Sequence, residues 1–140
     1  MKHIVINKGS YGYLSEGLKD FSCYRLDILA DWFLHDVGNR ITSWIEWLND
    51  DRYDETDSNA TWLEKQYSTN GEKEVIFGAI THMMQNTRKG IYAPTENEIA
   101  RLSMKNVLAL LDSWEQLLKI RPNQIMLVEE NGVYKMFAVQ

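Results

Sequence analysis

Residues 125–137 read IMLVEENGVYKMF, and this stretch limits what the chain can fold into more than any other. An Asn-Gly pair between two runs of strand formers is the preferred filling of a two-residue type I′ turn, because both loop positions need positive φ. With Asn131 and Gly132 as the loop, Val128 faces Lys135, Leu127 faces Met136 and Met126 faces Phe137. Ile125, Leu127, Tyr134, Met136 and Ala138 then share one side. A two-stranded hairpin is marginal in water, so that side needs cover and further strands. The N-terminal run Ile4, Val5 and Ile6, ahead of the turn signal Gly9-Ser10-Tyr11-Gly12, offers a third strand.

The cover is found in two amphipathic stripes. From Arg25 onward, Leu26, Leu29, Phe33, Val37, Ile41 and Trp44 recur at helical steps, and the pattern runs on to Leu48. Gly38 and Asn39 interrupt it without changing its phase, which favours one continuous or bent helix over two. Ser103 is placed to cap a second helix whose core side is Val107, Leu108, Leu110, Leu111, Trp114 and Leu117–Leu118, ending before Pro122. Between them the chain is ambiguous. Val75, Ile76, Ala79, Ile80, Met83 and Met84 fit a helical face behind a Thr69/Glu72 capping box, whereas Asn70-Gly71 could join two strands around 62–67 and 75–80. The longer run of correctly spaced positions favours the helix. The expected architecture is α+β: amphipathic helices packed on a small antiparallel sheet with a C-terminal β-hairpin, forming one domain over residues 1–140.

Charge narrows the choice of partner. The net charge is −5. Residues 50–64 hold Asp50, Asp51, Asp54, Glu55, Asp57 and Glu64 against Arg52 alone, so the imbalance is local. A duplex-binding face needs clustered Lys and Arg to displace counterions, and direct nucleic-acid binding is therefore not expected. MKHIVINKGSYG loses its apolar character after Ile6, unlike a secretory leader, and no stretch has the roughly 18 apolar residues of a spanning helix. A single cysteine, Cys23, suits a reducing compartment, and the chain reads as cytoplasmic with no membrane partner.

Few residues are spaced for chemistry. Gly9, Gly12 and Gly17 match neither dinucleotide-binding nor P-loop spacing. Asp27, Asp31 and His35 recur every four residues and could line one helix side as a metal or proton-transfer site, or simply as a solvated stripe. A calcium loop starting at Asp50 fails, because its third position is Arg52 and it lacks the central glycine. Neither Glu96/Glu98 nor Glu129/Glu130 has a sequence-level reason for a shifted pKa, and no serine sits in a nucleophile elbow. No catalytic residue, metal or cofactor is assigned.

What remains is the acidic stretch NDDRYDETDSNATW, a solvated connection by the bland reading and a partner-facing surface by the sharper one. Its carboxylates Asp50, Asp51, Asp54, Glu55 and Asp57 lie beside the aromatic residues Tyr53 and Trp62. Aromatic anchors next to charge suit protein recognition, and a carboxylate-rich face steers a basic partner toward it. These seven residues form the candidate binding site.

The stretches YRLDILADWFLHDVGNRITSWIEWLND and SMKNVLALLDSWEQLLKIRPNQIMLVEENGVYKMF, with the acidic loop between them, resemble small bacterial immunity proteins. Such proteins neutralise cytoplasm-acting toxin domains, including those of contact-dependent growth inhibition. The likeness is one of general character over about two thirds of the chain. It implies a non-enzymatic inhibitor that binds a cognate toxin domain tightly and blocks its active or substrate-binding surface. Many such toxins are nucleases, whose basic surfaces suit an acidic inhibitor. Two other classes stay open: a cytosolic adaptor or regulatory protein, and a small metal-dependent nuclease built on Asp27, Asp31 and His35.

Overall fold

The computed structural model describes residues 2–15, 24–87, 90 and 93–139. Cys23 and Gly17 lie outside them. In chain order the elements are β1 (Lys2–Gly9), β2 (Gly12–Ser15), α1 (Tyr24–Asp31) with a π-helical continuation (Trp32–Val37), α2 (Ile41–Asn49), β3 (Glu55–Asp57), β4 (Thr61–Tyr67), β5 (Lys73–Ala79), α3 (Ile80–Thr87), a 3-10 turn (Glu96–Glu98), β6 (Ile99–Ser103), α4 (Met104–Ile120), β7 (Gln124–Glu130) and β8 (Val133–Val139).

The C-terminal hairpin has the register expected of its turn. Val128 lies opposite Lys135, Leu127 opposite Met136 and Met126 opposite Phe137. Asn131 and Gly132 take φ of 54° and 79°, the positive values the two-residue loop demands. Ile4 and Ile6 of β1 face Leu127 and Ile125 of β7, so the N-terminal strand joins this sheet, which runs β2-β1-β7-β8. Ile4, Ile6, Ile125, Leu127, Tyr134 and Met136 form its buried side.

Beside the expected small sheet stands a second antiparallel one, β3-β4-β5-β6, and its central pair β4–β5 is the Asn70-Gly71 alternative, not the favoured helix. It overturns the helical reading of residues 70–79: β4 and β5 are paired, with Leu63 opposite Phe77, and helix begins only at Ile80. The physical reason is that β5 is buried on both sides, so its side chains read as a nearly continuous apolar run and not as alternation. One side meets the main core through Leu63, Val75, Phe77, Ala100 and Leu102. The other carries a separate cluster of Trp62, Ile76 and Ile99, with Ile80 and Met83 packed on it. Helices α1 and α4 touch strands of both sheets, and their apolar residues join the two inner sheet sides in one core.

The single continuous or bent helix expected over 25–48 is also corrected: two helical segments part at Gly38. The last turn of α1 is widened, with the Gly38 N–H donating to the Phe33 carbonyl at 2.9 Å. Gly38 has φ 51° and ψ −119°, a conformation that L side chains rarely adopt. Trp114 Nε1–H donates to the Gly38 carbonyl at 2.7 Å, clamping the break against α4. Arg40 Nη2 and Trp44 Nε1 both donate to the Asp36 carbonyl, at 2.7 and 3.2 Å, and tie the start of α2 to the widened turn, while α2 itself packs against α4. The cap of α4 is as read from the sequence, with Ser103 Oγ accepting from Asn106 N–H at 3.0 Å.

Candidate functional site

Asp36 links the helical layer to the second sheet. It is fully buried within α1's widened turn. Its Oδ1 accepts from Ala60 N–H and its Oδ2 from Thr61 N–H, each at 3.0 Å, while Thr61 Oγ1–H also donates to Oδ2. Satisfying each oxygen makes the burial of this carboxyl group tolerable. These bonds fix the start of β4, and strand alternation then turns the next residue, Trp62, to the outer side of the sheet.

The seven residues proposed from sequence are not gathered on one surface. Asp50 sits at the C-terminal end of α2, where its Oδ1 and Oδ2 accept from Arg52 Nε and Nη2 at 3.0 and 2.9 Å. Hydrogen bonds from the Arg52 side chain, then from its backbone N–H, hold this carboxyl at about 2. Asp51 pairs with Lys73 Nζ at 3.0 Å. Lys65 donates to the carbonyls of Trp47 and Asp50 at 2.6 and 2.7 Å, its ammonium 4.3 Å from the Trp47 ring centroid. Tyr53 is exposed, with the Arg52 guanidinium 5.5 Å from its ring centroid. The loop is thus folded over its own cations. The charges of Asp50 and Asp51, two of the five carboxylates expected to steer a basic partner, are compensated within the chain by Arg52 and Lys73.

Glu55 and Asp57 instead belong to β3, the edge strand of the second sheet. Glu55 lies opposite Glu64 and Asp57 opposite Trp62. Following the register across β5 and β6 gives two rows on the outer side of the sheet: Glu55, Glu64, Ile76, Arg101 and Asp57, Trp62, Gly78, Ile99. Glycine is required in the second row, because a Cβ at Gly78 would lie 2.2 Å from the Trp62 indole. The ring therefore lies over β5, and Trp62 is only 9% exposed. With Met83 and Pro94 these rows enclose a groove of about 350 Å³.

Arg101 does not neutralise the β3 edge. Its Nη1 donates to Glu74 at 2.6 Å and its Nη2 to Glu96 at 2.8 Å. The hydrogen bond from Arg101 lowers the Glu96 pKa. Glu74 is buried and also accepts from Gln66 Nε2 at 2.8 Å. Glu55, Asp57 and Glu64 make no ion pair among the described residues. A second cavity, about 510 Å³, is lined by Asp51, Asp54, Lys65 and Lys73, but there both signs of charge are interleaved.

Sequence reasoning missed Glu64, Ile76, Gly78, Ile99 and Arg101. A strand reading of 61–67 and 73–79 would have placed Trp62 and Glu64 on one side with Ile76 and Gly78. The helical reading hid that grouping. In the stripe of α1, His35 Nε2 is 3.9 Å from Asp31 Oδ1, and no three His, Cys, Asp or Glu side chains among the described residues are grouped so as to hold a metal ion. No helix among them is long and apolar enough to cross a membrane. Comparison with protein-family models, curated proteins and solved structures finds no match to this chain.

Proposed function

We propose that this chain is an immunity protein: a non-enzymatic, cytoplasmic inhibitor that binds a cognate toxin domain, a nuclease with a basic substrate-binding surface, and covers that surface. One observation carries the reading. Glu55, Asp57 and Glu64 stand without ion pairs, among the described residues, at the edge of a groove floored by Trp62, Ile76 and Ile99. Apolar floor and charged rim are the anatomy of a recognition surface, and the sign of the rim selects a cationic partner. Asp54 lines the mixed-charge cavity with Asp51, Lys65 and Lys73 and lies outside this groove, and Tyr53 is exposed beside Arg52. Asp50 and Asp51 are given a smaller part because their charges are already compensated by Arg52 and Lys73.

The test is expression of each reading frame flanking this gene in a bacterial host, with and without the chain. The expected result is one neighbour that arrests growth alone and forms a complex with this protein that restores growth. Restoration should be weaker with the E55Q/D57N/E64Q variant. If no neighbour is toxic, or if rescue occurs without a complex on size exclusion, the immunity reading fails.

A further inference from the structure

We infer that the outer groove of the second sheet is a receptor for an arginine side chain carried on the surface of the protein partner. The inference rests on the binding reading above and names the chemistry of its anchor. Glu55 and Glu64 are direct cross-strand neighbours on the same side of the sheet, and Asp57 follows two residues along β3. Like charges directly opposite one another in a sheet are unfavourable, and a cation between them reverses the sign of that interaction. The groove counts four carboxylates, Glu55, Asp57, Glu64 and Glu96, against the single guanidinium of Arg101. Arg101 is turned away toward Glu74 and Glu96, so it leaves the β3 side open to a second guanidinium.

The floor distinguishes among cations. Trp62, Ile76 and Ile99 form an apolar cluster under the rim. A hydrated metal ion gains nothing from such a floor. A lysine ammonium is compact and strongly hydrated, and desolvating it there is unfavourable. A guanidinium is planar, weakly hydrated, stacks on aromatic rings and bonds carboxylates through two parallel N–H groups, while its three-carbon stem lies on apolar surface. Gly78 belongs to the same design, since it alone leaves room for the indole to lie across the strand.

The experiment titrates acetylated hexa-arginine amide into the isotope-labelled full chain at low salt, with hexa-lysine as the comparison and NMR as readout. The expected result is that shifts concentrate at the Trp62 indole and at the Ile76 and Ile99 methyls, with arginine binding more tightly than lysine. E55Q/D57N/E64Q should weaken binding by about tenfold or more, whereas E46Q/E72Q/D112N, which removes as many charges from exposed sites elsewhere, should change it less than about twofold. Equal weakening by both triple variants, equal binding of the two peptides, or shifts centred on residues 50–54 each overturn the inference. Growth protection plays no part in this readout: peptide binding at the groove without any toxin rescue removes the immunity reading alone, and rescue without groove binding removes the arginine site alone.

Discussion

A carboxyl group taken out of water must have its oxygens hydrogen-bonded, and at Asp36 the donors come from a loop and strand 24 and 25 residues away. An asparagine in its place presents an NH₂ group to one of those N–H donors, leaving a buried donor facing a donor. Asp36→Asn is therefore expected to destabilise the protein by about 3 kcal/mol and to loosen the start of β4, read by urea melts and by amide exchange at Thr61 and Trp62. Asp31 behaves in the opposite sense. Burial, reinforced by Asp27 and opposed by His35, with Asp36 adding to the rise, lifts its pKa from 3.8 to about 6. The unfolded chain then releases this proton first, so the contribution of Asp31 to stability falls as pH rises from about 4 to about 6 and stays low above that. Asp31→Asn should stabilise the fold at pH 7 by no more than about 1 kcal/mol, since the side chain is 40% exposed and solvent screens it, and should give no gain below about pH 4. Paired melts at the two pH values check this. An equal gain at both would show that its ionisation is not the cause.

The hairpin β7–β8 is set by local chemistry, two loop residues that tolerate positive φ between strand formers, which is why its turn and register could be read directly from residues 125–137. Gly132→Val tests it: a β-branched residue at φ 79° costs about 1–2 kcal/mol, and faster amide exchange should appear in the strand ends at Glu130 and Val133. Unchanged stability and exchange would contradict the turn assignment. Helix α4 was legible for a similar reason, having a serine cap and one clean stripe. Two elements were not. The break at Gly38 depends on Trp114 and Arg40 reaching back to backbone carbonyls, contacts with no periodic signature. Strands β4 and β5 escaped because the second sheet is covered on both sides, by the main core and by the cluster under α3, which erases alternation. That omission also concealed the site. Glu55, Asp57 and Trp62 could be picked out by composition, but their grouping with Glu64, Ile76 and Ile99 exists only once the strands are in register.

At the scale of the whole molecule, two antiparallel sheets share the helices α1 and α4, and the acidic charge falls at the edge of the second sheet and the loop leading to it. A short, charged edge strand has a protective use, since it discourages pairing with another chain, and β3 has both properties. Protection and recognition differ in what happens when the charge is removed. A protective edge loses solubility and no partner; a recognition edge loses the electrostatic steering of a basic surface, which appears in the association rate and its salt dependence more than in the fold. The measurement that separates them is the stopped-flow association rate of the toxin domain identified by growth arrest, taken over a salt series with the unaltered chain and with E55Q/D57N/E64Q, with circular dichroism to verify folding. The account predicts that the variant stays folded, associates about tenfold more slowly at low salt and shows a flatter salt dependence. The same rate and the same salt slope for both proteins would contradict it, and would leave the carboxylates of β3 as a guard on the sheet edge.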